Sequence, residues 1–231
     1  MPENYKIKLK LRVEIARDTM AFYFEKPRGF DFIAGQHISM YQTNIEDSKR
    51  IFCMASAPYE ADLVFAMRMR DSEFKNSLKV MPIGAEVEIS DVRGSFIMHS
   101  DTSRPAVFLV GGIGVTPFRS IALQATHDKS PHKILMFYSN YTPEDAPFLD
   151  EFQDLENKNP NYKLITTMIE SKWHGETGYI NKNMLEKYIN DVKSPVYYIA
   201  GPSGFVVAMR NMLNEIGILT DSIKTDEFSG Y

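Results

Sequence analysis

The chain has 231 residues, a net charge of -4 and 44% hydrophobic residues, enough for one large domain or two modest ones with real cores. The acidic balance argues against nucleic acid as a partner. A single cysteine, Cys53, excludes an intrachain disulfide framework and a four-cysteine iron–sulfur cluster within these residues, and fits a reducing compartment, expected to be cytoplasmic.

The opening stretch, MPENYKIKLKLRVEIARD, alternates apolar residues (Tyr5, Ile7, Leu9, Leu11, Val13, Ile15) with Lys6, Lys8, Lys10, Arg12 and Glu14. That period of two predicts a half-buried strand. It also lacks the continuous apolar core of a signal peptide, and no later run reaches the length of a membrane span. Further strands are predicted at Met20–Glu25, His37–Thr43, Arg50–Ala57, Leu63–Arg70 and Glu86–Val92, separated by turns such as Pro27-Arg28-Gly29 and Pro82-Ile83-Gly84. One short helix is predicted near Glu73–Met81. Many short strands in so short a span predict an antiparallel barrel or sandwich over residues 1–100.

The polar stretch His99–Pro105 reads as a linker, and the pattern changes after it. Strands are predicted at Ala106–Val110, Lys133–Ser139, Tyr162–Ile169, Val196–Ala200 and Ser222–Asp226. Between them, apolar residues recur at helical spacing: Phe118, Ile121, Ala122 and Ala125; Phe148, Phe152 and Leu155; Met184, Leu185 and Tyr188; Phe205, Met209, Met212 and Ile216. Thr142 reads as the N-cap of the second of these helices, with Pro143 at its first position and Asp145 following. Strands alternating with helices predict a doubly wound α/β domain over residues 101–231, with a five-stranded parallel sheet and ligands at the carboxyl ends of its strands.

Two strings carry chemistry. Gly111-Gly112-Ile113-Gly114-Val115-Thr116-Pro117 joins an apolar strand to a helix. Glycines let backbone approach a ligand where a Cβ would clash, and the helix N-terminus offers free N–H groups to phosphate. In Arg50-Ile51-Phe52-Cys53-Met54, residues 50, 52 and 54 share one strand face. That places an arginine fork suited to phosphate beside a flat apolar ring, as a flavin dinucleotide needs. The same spacing also describes a surface arginine beside a core phenylalanine. The five histidines show no metal-ligand spacing, and no Gly-x-Ser-x-Gly nucleophile turn occurs.

The string RIFCMASAP resembles the R-x-[YF]-[ST] flavin motif of the ferredoxin–NADP reductase family. Gly35-Gln36 resembles the G-Q before that motif, GGIGVTP the family's G-G-x-G-x-T-P nicotinamide motif, and Ile199-Ala200-Gly201-Pro202 its C-G-P motif. Order and spacing match across nearly the whole chain. The resemblance implies an FAD-binding barrel followed by an NAD(P)-binding domain.

Residue by residue, it implies that Arg50 binds the FAD pyrophosphate and Phe52 packs against the isoalloxazine, with Met54 also among the cofactor-binding residues. Cys53 stands where the family has Ser or Thr at flavin N5, and is a weaker hydrogen-bond donor. The helix starting near Phe74-Lys75-Asn76 would aim its amides at the pyrophosphate, with Lys75 or, shifted, Ser77 in place of a family Ser/Thr. Gly112, Gly114, Thr116 and Pro117 would face NAD(P)H, and Gly201 and Pro202 would close its nicotinamide side. Ala200 replaces the family's cysteine. Near the C-terminus, Phe228 or Tyr231 would stack on the flavin, with Glu227 assisting proton delivery; a frayed polar tail is the other reading. Lys172, with Tyr179 downstream, resembles a 2′-phosphate grip and leaves NADH and NADPH both open.

The implied activity is hydride transfer from NAD(P)H to FAD, then electron delivery to a separate acceptor, a ferredoxin-like protein or a small molecule. A flavin reductase using free flavin as substrate, or an electron-transfer subunit of a larger complex, are the alternatives.

Overall fold

The computed structural model describes residues 4–42, 45, 48–170 and 173–228. Thr43, Ser171, Lys172 and residues 229–231 lie outside the described residues, and with them the end of the third predicted strand, the Lys172 grip and Tyr231. The chain forms two compact units, Met1–Ile97 with Thr116–Gln124, and Met98–Val115 with Ala125–Tyr231.

The first unit is built on six antiparallel strands: β1 (Tyr5–Ala16), β2 (Thr19–Glu25), β3 (His37–Tyr41), β4 (Arg50–Cys53), β5 (Asp62–Arg68) and β6 (Glu86–Ile89), in the order β4-β3-β6-β1-β2-β5. β1 is long because it serves two neighbours. Tyr5–Lys8 pair with β6, and Leu9 onward pairs with β2, with register shifts at Leu9/Leu11 and Glu14/Ala16. Such bulges bend a strand and let a sheet curl. The two ends of the sheet meet where the chain leaves β4: Met54 N–H donates to Gln36 C=O (3.2 Å), then Ala55 N–H to Val64 C=O (2.8 Å). The predicted strand Arg50–Ala57 is therefore a short β4 ending at Cys53, and the chain changes partner after Met54. Ile7, Leu9, Phe22, Phe24, Ile38, Met40, Phe65, Val87 and Ile89 fill the interior. Phe74 and Leu78 of α1 (Glu73–Val80) join this core.

The second unit is a parallel sheet in the order β10-β9-β8-β7-β11-β12. Its strands are β7 (Ala106–Gly111), β8 (Ile134–Asn140), β9 (Tyr162–Met168), β10 (Glu176–Thr177), β11 (Val196–Pro202) and β12 (Ile223–Phe228). The sheet has six strands where five were expected. The added β10 has two residues, too few to show an alternation, and extends the edge beside β9. On one face, Val107, Leu109, Phe137 and Ile199 pack against Met184 and Leu185 of α4 (Lys182–Tyr188) and Val206, Met209 and Leu213 of α5 (Ser203–Glu215). Tyr138 meets Phe152 of α3 (Leu149–Lys158) edge-on, with centroids 6.0 Å apart.

Two local expectations are corrected. Thr142 opens a single 3-10 turn, Pro143–Asp145, and α3 starts only at Leu149. Pro147 is the cause: the residue before a proline is pushed out of the helical region, and Ala146 is extended at φ -99. The Thr142 hydroxyl bonds the Asp145 carboxylate (2.9 Å) instead of capping backbone. The predicted linker His99–Pro105 is tied down. The Arg104 guanidinium donates to Ser194 C=O, Pro195 C=O and Ser222 Oγ, each at 2.9 Å. The Tyr198 hydroxyl accepts from His99 N–H (2.7 Å).

Candidate functional site

In the first unit, the Arg50–Cys53 string occupies the edge strand β4. Arg50 is exposed, and its guanidinium lies over the Phe74 ring, 5.6 Å from the centroid. Phe52 is half-buried and packs on Phe74 (5.8 Å) and Phe65 (6.3 Å). Its position therefore follows from the core as much as from a ligand. Cys53 is 5% exposed and faces His37 across the sheet; Met54 is fully buried.

Helix α1 starts at Ser72, whose hydroxyl accepts from Lys75 N–H (3.3 Å). Ser72 is an N-cap that the sequence reading missed, although a serine directly before Glu73 is its usual signal. Lys75 Nζ donates to Arg68 C=O (2.9 Å). Burial, and then the charges of Arg70 and Arg50, hold the Lys75 ammonium below its ordinary pKa. Three cations thus crowd the first turn of α1, where the macrodipole is also positive. Such a cluster is relieved by an anion, and a pyrophosphate fits it. Arg70 was not among the expected contacts. Asn76 is exposed and donates to the Asp71 carboxylate (2.9 Å); Ser77 is half-buried one residue on.

Thr116 and Pro117 also belong to the first unit, at the start of α2 (Thr116–His127). Both are buried. Thr116 is 1% exposed, and its buried hydroxyl has no hydrogen-bond partner. A buried hydroxyl without a partner costs free energy, and a ligand group that bonds it removes that cost. Phe118 meets Phe96 edge-on (5.5 Å), and Ile121 lies against the Cα of Gly35, where an added Cβ would fall 2.9 Å from Ile121 Cδ1. Arg119, 5% exposed, donates to Ala55 C=O (2.7 Å) and to both Glu60 carboxylate oxygens (2.9 and 3.1 Å). Ser120 Oγ donates to Ser56 C=O (2.7 Å). The one warning of this network in the sequence is a charge inside the apolar run Pro117-Phe118-Arg119-Ser120-Ile121.

In the second unit, residues 112–115 form a 3-10 turn after β7. Gly112 has φ +52, and an added Cβ would meet no atom within 4 Å, so its open face is available to a ligand. Gly114 is different. A Cβ there would sit 2.5 Å from Ala200 O and Gly201 N, so the backbone of β11 itself requires the glycine. At Gly201 a Cβ would fall 2.9 Å from Phe205 Cδ1. Pro202 is half-buried at the end of β11. Glu227 is exposed and pairs with Gly201, and the Phe228 backbone pairs with Pro202, so the strand continues to the last described residue. At the carboxyl end of β8, Asn140 is buried with both side-chain polar atoms unpartnered. Among the described residues no cluster of His, Cys, Asp and Glu could hold a metal ion, and no helix is long and apolar enough to cross a membrane.

Residues 108–211 match the family model described as "Oxidoreductase NAD-binding domain". A component of the Na(+)-translocating NADH-quinone reductase of Methylococcus capsulatus is 34% identical over 155 residues, covering 64% of this chain and 38% of that protein. Flavohemoprotein A of Dictyostelium discoideum is 28% identical over 94% of this chain and 58% of its own length. The chain thus spans about half the length of the curated relatives it matches, or less. Among solved structures, a ferredoxin NADP+ reductase from Neisseria gonorrhoeae with bound FAD and NADP superposes with a TM-score of 0.85 at 17% identity, covering 97% of this chain and 98% of that one. A flavohemoglobin from Malassezia yamatoensis with bound FAD and heme gives 0.86 at 23%, covering 98% and 60%. Residues 108–211 are therefore similar to oxidoreductase NAD-binding domains, and the chain as a whole has the fold of the ferredoxin–NADP reductases.

Proposed function

We propose that the chain is an NAD(P)H-dependent flavoprotein oxidoreductase that passes electrons to a separate acceptor. One conjunction carries this reading: a three-cation cluster, Arg50, Arg70 and Lys75, at the capped N-terminus of α1 in one unit, and a Gly112-bearing strand-turn within the NAD-binding match in the other. The first suits the pyrophosphate of FAD and the second a nicotinamide dinucleotide. When bound, the flavin supplies the redox chemistry, taking a hydride from the nicotinamide at N5 and releasing electrons one or two at a time.

The chain's own residues bind and orient. Arg50 and Lys75 hold the pyrophosphate, with α1 amides near Asn76 and Ser77 adding donors. Phe52 and Met54 back the isoalloxazine, and Cys53 offers a weak donor at N5. In the first unit, Thr116 gives its unpartnered hydroxyl to NAD(P)H, with Pro117 beside it in the motif; in the second unit, Gly201 and Pro202 are NAD(P)H contacts. Gly112 admits the dinucleotide backbone. Glu227 assists proton delivery, and the family resemblance implies flavin stacking by Phe228 or Tyr231 and a part for Lys172 in the choice between NADH and NADPH; Lys172 and Tyr231 lie outside the described residues.

The acceptor is a ferredoxin-like protein or a small molecule such as a quinone. The lone buried Cys53 supports work in a reducing compartment, the cytoplasm. Stopped-flow mixing of the FAD-loaded protein with NADH or with NADPH tests the reading. Bleaching of the bound flavin by one or both is the expected result, and no bleaching with either sinks it. If FAD is lost on purification and turnover follows added free flavin, the protein is a flavin reductase instead.

A further inference from the structure

We propose that Arg119 and Glu60 form a positioning pair that sets where Thr116 stands relative to the Cys53 end of β4. The inference rests on the oxidoreductase reading above. Thr116, Arg119 and Ser120 are three and four residues apart, so they share one face of α2. That face is fastened to the chain just beyond Cys53 by three separate ties. The Arg119 fork grips both oxygens of Glu60 (2.9 and 3.1 Å) and also donates to Ala55 C=O (2.7 Å). Glu60 in turn accepts from Ala57 N–H (2.6 Å), which locks the carboxylate to the same strand end. Ser120 Oγ adds its bond to Ser56 C=O (2.7 Å).

Energetics argue that the pair serves geometry. With Arg119 buried and Glu60 half-buried, the pair is largely withdrawn from water and gives little net stability compared with apolar side chains of the same shape, because desolvation offsets the attraction. A planar guanidinium held at both oxygens fixes distance and plane together, which a lysine or an apolar contact does not. The residues so fixed are those whose neighbours one helical turn away, Thr116 and Pro117, belong to the nicotinamide motif, and whose strand partners follow the flavin motif. Hydride transfer is steeply sensitive to such placement, since a displacement of about 1 Å can cost on the order of a hundredfold in rate.

The test compares the FAD-loaded wild type with Arg119→Lys, which keeps the charge and loses the fork, and with the double variant Arg119→Met/Glu60→Leu, which fills the same volume without a buried charge. Saturating NADH or NADPH in stopped flow is expected to reduce the flavin roughly 10- to 100-fold more slowly in both. FAD content and nucleotide Kd stay unchanged, and the long-wavelength charge-transfer absorbance of nicotinamide on flavin weakens. In the FAD-free proteins, deuterium uptake by the amides of residues 116–124 rises while β1 and β2 keep their protection. A double variant with wild-type reduction rate and charge-transfer absorbance overturns the proposal. Loss of FAD in parallel with rate also overturns it, by showing a merely structural pair. An unreduced wild type overturns the oxidoreductase reading itself, a result distinct from either.

Discussion

At the scale of single residues, Gly114 shows that a motif glycine can be demanded by the protein rather than by a ligand. Its missing Cβ leaves room for the backbone of Ala200 and Gly201, 2.5 Å from where that atom would be. Backbone cannot swing aside as a side chain can, so Gly114→Ala is expected to cost about 1–3 kcal/mol through overpacking. A thermal melt checks it, and a melting temperature equal to wild type contradicts it. Gly112, which meets nothing, is expected to escape that penalty and to pay only for its positive φ.

His99 gives a second residue-scale expectation. Its Nε2 lies 3.0 Å from Arg104 C=O and its Nδ1 2.9 Å from the Tyr198 hydroxyl, an arrangement suited to a neutral ring. Burial holds its pKa below the ordinary 6.5, opposed by the bond to Arg104 and aided by the charges of His132, Lys224 and Arg104. The sign follows. Well above pH 6.5, from about pH 7.5 upward, both folded and unfolded rings are neutral and the contribution is flat. Below it the unfolded chain takes up a proton that the folded ring resists, so stability declines as pH falls from about 7 toward 5. Melting temperatures across that range should fall less steeply in His99→Gln than in wild type. Parallel curves would assign the decline to other groups.

At the scale of elements, α1 joins folding to binding. Ser72 caps it, and the same first turn carries the crowded Lys75. Removing the cap by Ser72→Ala should cost about 1 kcal/mol, read as a lower denaturant midpoint. It should also loosen FAD, read by fluorescence titration; an unchanged FAD affinity would separate the helix end from the flavin site.

The elements also show what a sequence reveals. β1 was plain because Tyr5 to Ile15 alternate without a break, and β7, β8 and β11 because each is a compact, mainly apolar run. β10 was invisible because two residues have no period. The start of α3 was misplaced because Thr142-Pro143 satisfies the local rule for a helix start, while Pro147 further on overrules it. The motif residues could be found by their spacing, but Arg70, Asn140 and the Arg119–Glu60 pair could not. Their significance lies in neighbours distant along the chain, or in the absence of any.

At the scale of the whole molecule, the compositional change near residue 100 and the division of the folded chain do not coincide. The first unit takes back residues 116–124 after the chain has already contributed β7 to the second. A cut after the barrel strands therefore removes Phe118, Arg119, Ser120 and Ile121 from the partners they bury. It leaves Glu60 without its cation and the Cα of Gly35 without its cover. Recombination between relatives meets the same obstacle. A chimera that takes its barrel from one parent and everything after residue 100 from another inherits a helix matched to the wrong barrel. The splice that respects this fold carries residues 116–124 with the barrel's parent, so a single crossover is not enough to exchange the halves of this reductase fold.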